Sequence, residues 1–208
     1  MNIGVYTKYP RTHHVPWSPG VTKDDKIHPN VDFFKNKEVI ITEKMDGENT
    51  TMYSDYLHAR SIDANSHWTQ SYVRQLQGQI GHSIPKGWRV CGENLFAKHS
   101  IGYNNLKDFF LMFSIWNDKN ICLSWQDTIE WAELLSLQLV PVIYKGIYDE
   151  DVARNCYKPN TEGYVIRVAD SFSYSQFKLS VAKFVRKNHV GTSNHWKFER
   201  IEKNQIGN

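Results

Sequence analysis

The stretch Ile41-Thr-Glu-Lys-Met-Asp-Gly-Glu-Asn-Thr50 ends a β-branched run, "EVIIT" at 38–42, in a lysine and an acid-glycine turn. Val, Ile and Thr stack well on a pleated surface, so 38–42 reads as a buried strand. Asp-Gly then turns the chain. Two readings of Lys44 follow. It is either a charged residue at a hairpin turn or a nucleophile held rigidly at the end of a strand. Lys-x-Asp-Gly alone does not decide between them.

Downstream, "TTMYS" and "YLHAR" flank Asp55 and predict a hairpin. Trp68, Tyr72, Leu76 and Ile80 recur every four residues, predicting one face of a helix. "WRVCGENLF" (88–96) and "FFLMFSIW" (109–116) read as strands, the second turning through "NDKN" into "ICLSW". Ser124 and Asp127 have the spacing of a capping box for the helix "WQDTIEWAELLSL". "TEGYVIRVAD" (161–170) and "SQFKLSVAKFV" (176–185) are the last predicted strands. Strands dominate without βαβ alternation, which predicts an α+β domain of mainly antiparallel sheets with flanking helices. The first thirty residues are rich in Pro, Gly and turn formers and predict an ordered arm packed over the rest. Within it, the pair His13-His14 has no spacing partner that would suggest a metal site.

With 208 residues, 40% of them hydrophobic, the chain can build one substantial core. Cys91, Cys122 and Cys156 form no CxxC pair, which argues against zinc and against a disulfide framework and suits a reducing cytoplasm. No signal-peptide pattern and no bilayer-length apolar run is present, so a cytoplasmic protein without a membrane partner is expected. Net charge is only +3, yet between Lys178 and Lys203 seven basic residues face two glutamates. Trp196 and Phe198 lie among them, a composition suited to phosphate backbones. A solvated terminal helix fits that charge equally well.

Lys-x-Asp-Gly is followed in order by "ARS" (59–61), "CGENLF" (91–96), "FLMFSIW" (110–116), "EGYVIR" (162–167) and "FKLSVAKFVRK" (177–187). With these segments the sequence resembles the covalent nucleotidyltransferase superfamily of RNA ligases, DNA ligases and mRNA capping enzymes. The likeness is strongest to ATP-dependent RNA ligases of the T-even phage second type and their small relatives. It runs from about Ile41 to Arg186.

The resemblance implies that Lys44 attacks the α-phosphate of ATP and carries AMP as a lysyl adduct. Glu43 would face the adenine amino group, and Arg60 would lie beside the nucleotide. Glu93 would hold the ribose hydroxyls and Phe113 would stack on the purine. Asp46 and Gly47 complete the nucleotide-binding turn, with Gly47 leaving room for the nucleotide. Glu162 would bind the divalent metal, magnesium or manganese. Lys178 and Lys183 lie in the last segment, where relatives place lysines on the α-phosphate. Many relatives have Lys-x-Lys there; this chain has Lys178-Leu-Ser180. If the segment is a straight strand, Lys178 and Ser180 share a face and Lys183 takes the other. That favours Lys178 for the phosphate and leaves Lys183 for RNA.

About two dozen residues follow the last segment, too few for the OB-fold domain of DNA ligases and capping enzymes. The expected organisation is therefore an adenylyltransferase domain over 1–187, with an arm over about 1–30, and a basic tail over 188–208. The expected activity is RNA ligation, with RNA ends, in nicked duplexes or single strands, as partner and a monomer as the working form. The tail is the candidate RNA contact, and its removal is expected to spare adenylylation while reducing sealing. The alternatives are a DNA-joining ligase, a GTP-using capping-type enzyme, and a catalytically silent RNA- or nucleotide-binding module.

Overall fold

The computed structural model describes residues 6–62, 67–187 and 201–207, which form two mainly antiparallel sheets with three short α-helices. The central strand of the first sheet is β2 (Glu38–Lys44), the β-branched run prolonged to the lysine. Its neighbours are β9 (Val142–Ile147) and β10 (Gly163–Val168), both antiparallel to it. β12 (Val181–Val185) pairs antiparallel with β10, and β1 (His13–His14) adds a parallel edge strand.

The period-two pleat gives this sheet two unlike faces. Val39, Ile41, Tyr164, Ile166, Ala182 and Phe184 all enter one hydrophobic core. The register places Thr42, Val165 and Lys183 in one row across three strands, and Lys44 opposite Gly163. The alternate positions carry Thr42, Lys44, Arg167 and Lys183, together with Val165 and Val181, which also contact that core cluster.

The second sheet begins with the predicted hairpin, β3 (Glu48–Met52) and β4 (Leu57–Ala59). It continues through β5 (Arg89–Asn94) and β6 (Phe110–Trp116) to β7 (Ile121–Cys122) and β11 (Phe172–Ser173). β8 (Gln138–Leu139) pairs parallel with β6. Helix α1 (Ser71–Ile80) packs Tyr72, Leu76 and Ile80 against a core containing Val73, Val90 and Ile115. Trp68, expected on the same helix face, sits one turn earlier in a 3-10 helix and is half exposed. Helix α2 (Trp125–Leu134) is capped by Ser124, whose Oγ accepts from the Asp127 amide at 3.1 Å. The short Asp127 carboxylate closes on the Ser124 hydroxyl at 2.6 Å, the place a longer acid would use to reach the capping residue's amide. Helix α3 (Glu150–Arg154) follows β9. All three cysteines are free and buried. Among the described residues no helix is long and apolar enough to cross a membrane.

One expected strand is corrected. Residues 176–185 are not a single strand: Tyr174–Leu179 form a 3-10 helix and β12 starts only at Val181. Ser173 and Gln176 form a reciprocal capping box at the start of that helix, and the Ser180 hydroxyl donates to the Gln176 carbonyl at its end. Lys178 therefore sits exposed in a helical turn, off the sheet, whereas Lys183 lies in mid-strand.

Candidate active site

A cavity of about 560 Å³ lies between the two sheets, within the size range of small-molecule sites. The first sheet contributes Thr42, Glu43, Lys44, Val165, Arg167, Val181 and Lys183 to its lining. Glu48, Asn49, Arg60, Glu93, Phe113 and Ser114 come from the second sheet and the chain just beyond β4. The cavity therefore gathers Glu43, Lys44, Gly47, Arg60, Glu93, Phe113 and Lys183, which the sequence singled out. Glu162 touches it through Lys44.

Lys44 ends β2 opposite Gly163, which puts its ammonium beside Glu162: Nζ to Oε2 is 2.6 Å. The Glu162 side chain is 7% exposed and that of Lys44 23%, so the pair is largely withdrawn from water. Burial pulls the Lys44 pKa down, but the Glu162, Glu93 and Asp46 carboxylates outweigh it and the net direction is up. Glu93, on β5, is pushed up to about 8, chiefly by burial and then by repulsion from Glu162 and Asp46, against the pull of Lys44. Burial also raises Glu43, with Lys158 opposing. The lysine thus faces more carboxylates than it can neutralise.

The Asp-Gly turn is bonded into the surrounding protein. Asp46 Oδ2 accepts from Ser100 Oγ and from the Ile101 amide, both at 2.7 Å, and the Asp46 amide donates to the Tyr103 hydroxyl at 2.9 Å. It ties the Lys44 segment to the 97–103 loop. Gly47 lines the cavity and also faces protein closely: a Cβ there would stand 2.4 Å from the Asn94 carbonyl oxygen. Residues 201–207, part of the expected tail, brace the same loop in extended form. Asn204 Nδ2 donates to the Leu95 carbonyl at 2.7 Å, and its Oδ1 accepts from the Tyr103 amide at 2.9 Å. The tail region around Trp196 and Phe198 lies outside the described residues.

Phe113 is half-buried, and its ring meets Tyr9 edge-on at 5.3 Å. Tyr9 belongs to the arm, whose residues Tyr9, Pro10, Arg11 and Thr12 form part of the cavity wall. The arm therefore packs over the cavity, and Trp17 pins it by donating to the Tyr164 hydroxyl at 2.8 Å. Arg167 lies beneath the cavity, its guanidinium donating to the Leu123 and Val168 carbonyls. Sequence reasoning passed over Asn49 and His99, which also line the cavity. Asn49 Oδ1 is buried without a hydrogen-bond partner among the described residues. Its signal was its place five residues after the lysine, at the start of β3 just beyond the turn. Among the described residues no group of three or more His, Cys, Asp or Glu side chains is placed to hold a metal by itself.

No curated protein matches the chain. In three dimensions it is similar to the Naegleria gruberi RNA ligase with pyrophosphate. The TM-score is 0.62 at 17% identity, covering 88% of this chain and 56% of that one. A variant of that ligase with ATP and manganese gives 0.62 at 16%, covering 90% and 58%. A second variant, with AMP and manganese, gives 0.59 at 16% with the same coverage. Such likeness shows the nucleotidyltransferase-type fold, and the chain spans a little over half the length of these ligases. A family model described as RNA ligase matches residues 37–185, every cavity strand from β2 to β12 included. The chain belongs to the RNA ligase family.

Proposed function

We propose that this chain is the adenylyltransferase unit of an ATP-dependent RNA ligase working through a lysyl-AMP on Lys44. The observation that carries the reading is the Lys44 ammonium, fixed at the end of β2 on the cavity wall and held by the buried Glu162. The similar Naegleria ligase is described with ATP, with AMP, with manganese and with pyrophosphate, which match the substrate, the transferred nucleotide, the metal and the leaving group of such a step.

Paired with Glu162, Lys44 is an ammonium and cannot attack. Once Glu162 no longer pairs with it, burial disfavours the charged form and frees the lone pair. Lys44 Nζ then attacks the α-phosphorus of ATP. The N–P bond forms, the bond to the bridging oxygen breaks, and pyrophosphate departs with the electron pair. Lys183 fits the α-phosphate better than Lys178, because it stands on the same sheet face as Lys44 and lines the cavity. Phe113 offers its half-buried ring, on the cavity wall, to the purine, Glu43 accepts from the adenine amino group, and Arg60 lies near the phosphates or ribose.

Glu93, whose anion is poorly tolerated as the cavity stands, gains hydroxyl donors from the ribose. The surplus of carboxylates around one lysine fits a divalent cation, which needs only one or two protein carboxylates, and Glu162 would hold it. Magnesium or manganese there supplies neutralisation of the polyphosphate charge. In the two later steps AMP passes to an RNA 5′-phosphate, and a 3′-hydroxyl then displaces it.

The test is incubation with α-labelled ATP or GTP and magnesium, followed by a denaturing gel. Label on the protein from ATP, lost in Lys44→Ala, is the expected result. No adduct, or one that survives Lys44→Ala, overturns the mechanism, and a GTP adduct transfers the reading to capping chemistry. Sealing of nicked RNA over nicked DNA is expected next.

A further inference from the structure

The arm places one carboxylate in the cavity wall, well before the 37–185 stretch shared with the family. Asp25 Oδ2 is fixed by Thr22, whose amide and hydroxyl donate to it at 3.1 and 2.8 Å. Its Oδ1 lies 3.3 Å from Lys183 Nζ and 3.3 Å from Nε2 of the fully buried His14. His14 is itself locked. Its Nδ1 lies 2.8 Å from Ser18 Oγ, which accepts from the Val185 amide at 2.9 Å. The His14 amide donates to the Lys26 carbonyl, and the His28 amide donates back to the His14 carbonyl. Gly20 lets the arm cross β12 closely, since a Cβ there would stand 2.2 Å from the Arg186 carbonyl oxygen.

A lysine side chain has four rotatable bonds and no built-in direction. Lys183 shares the cavity with Lys44, a like charge that disfavours it. Burial acts the same way and is the larger cause of its lowered pKa, while Asp25 and, more weakly, Glu162 oppose both. Of these groups only Asp25 touches its ammonium by ion pair and hydrogen bond among the described residues. Lys183 and His13, on neighbouring β1, also repel when both are charged.

We propose that Asp25 is a positioning residue that aims the Lys183 ammonium into the cavity, so that the arm takes part in nucleotide activation. The inference rests on the reading above in which Lys183 meets the nucleotide phosphates.

The experiment is a mutant cycle on single-turnover adenylylation, with ATP concentration and pH varied, using the full chain and its Asp25→Asn, Lys183→Met and double variants. Asp25→Asn is expected to slow adduct formation by on the order of tenfold. In the Lys183→Met background it is expected to cost nothing further. Its alkaline limb should move to lower pH, because Lys183 then loses its proton more readily. Equal losses in both backgrounds, or an unmoved alkaline limb, would show that Asp25 only folds the arm and would overturn the proposal. If Asp25→Asn does not fold, Asp25→Glu, which keeps the charge and moves it by one methylene, carries the same cycle. Absence of an adduct from the unaltered protein is a separate outcome: it removes the ligase reading, and the positioning role with it.

Discussion

Glu93→Gln should stabilise this protein while disabling it. The Glu93 carboxyl is raised from 4.5 to about 8, mainly by burial, so at pH 7 it is largely protonated when folded and ionised when unfolded. Each tenfold change in proton affinity corresponds to about 1.36 kcal/mol. From 4.5 up to pH 7 this sets a ceiling of roughly 3.4 kcal/mol on the strain that Glu93 imposes. The side chain keeps some contact with solvent, so about 2–3 kcal/mol is the expected gain on replacing it with an uncharged isostere. For a chain of this size that is about 5–10 °C in Tm.

The sign follows from proton binding. A raised carboxyl binds its proton more tightly folded than unfolded, so its contribution is intact below pH 4.5 and falls away as pH rises to about 8. Melting curves of the nucleotide-free protein from pH 5 to pH 8 should fall more steeply for the unaltered chain than for Glu93→Gln. Adenylylation by the variant should drop at least tenfold, since the amide is a poorer acceptor for ribose hydroxyls. A variant that melts lower at pH 7, or that keeps the same pH slope, would refute the assignment of that strain to Glu93. Such a trade of stability against activity is expected where a functional acid is held in a place that does not welcome its charge.

Gly47→Ala should cost about 2–4 kcal/mol, because its Cβ would meet the Asn94 backbone and the start of β3 would have to move. Thermal melts check this, and an unchanged Tm would contradict the close approach. Asn204→Ala should loosen the 97–103 loop by about 2–3 kcal/mol, as it strands the Tyr103 amide and the Leu95 carbonyl. Because that loop holds Asp46, adenylylation itself should weaken, a result that a purely RNA-binding role for residues 201–207 would not give.

Strand β2 was legible because β-branched residues and a turn signal agree locally, and the helix starting after Ser124 because its cap is adjacent in sequence. Two features were not legible, for different reasons. The Ser173–Gln176 capping box lies inside an aromatic, strand-like run, so local pattern spoke for a strand while local hydrogen bonding made a 3-10 turn. The straight-strand argument for Lys178 lapses with it, since the side-chain period of a strand applies only from Val181 onward. The arm itself was expected, but its pairing with β12 was not legible, for a deeper reason. His13 and His14 pair with Ala182 and Lys183 about 170 residues away, and no periodicity within either segment records the partner.

The arm's role is a consequence of sheet order. β12 lies next to β10, so one of its faces must carry Lys183 toward Lys44, and its outer edge would be open without β1. Closing that edge brings Ser18, His14 and Asp25 onto the strand that bears Lys183. An unpaired sheet edge and a flexible lysine are thus settled by the same residues. The segment that seals the sheet is therefore also the one positioned to set the charge balance of the cavity.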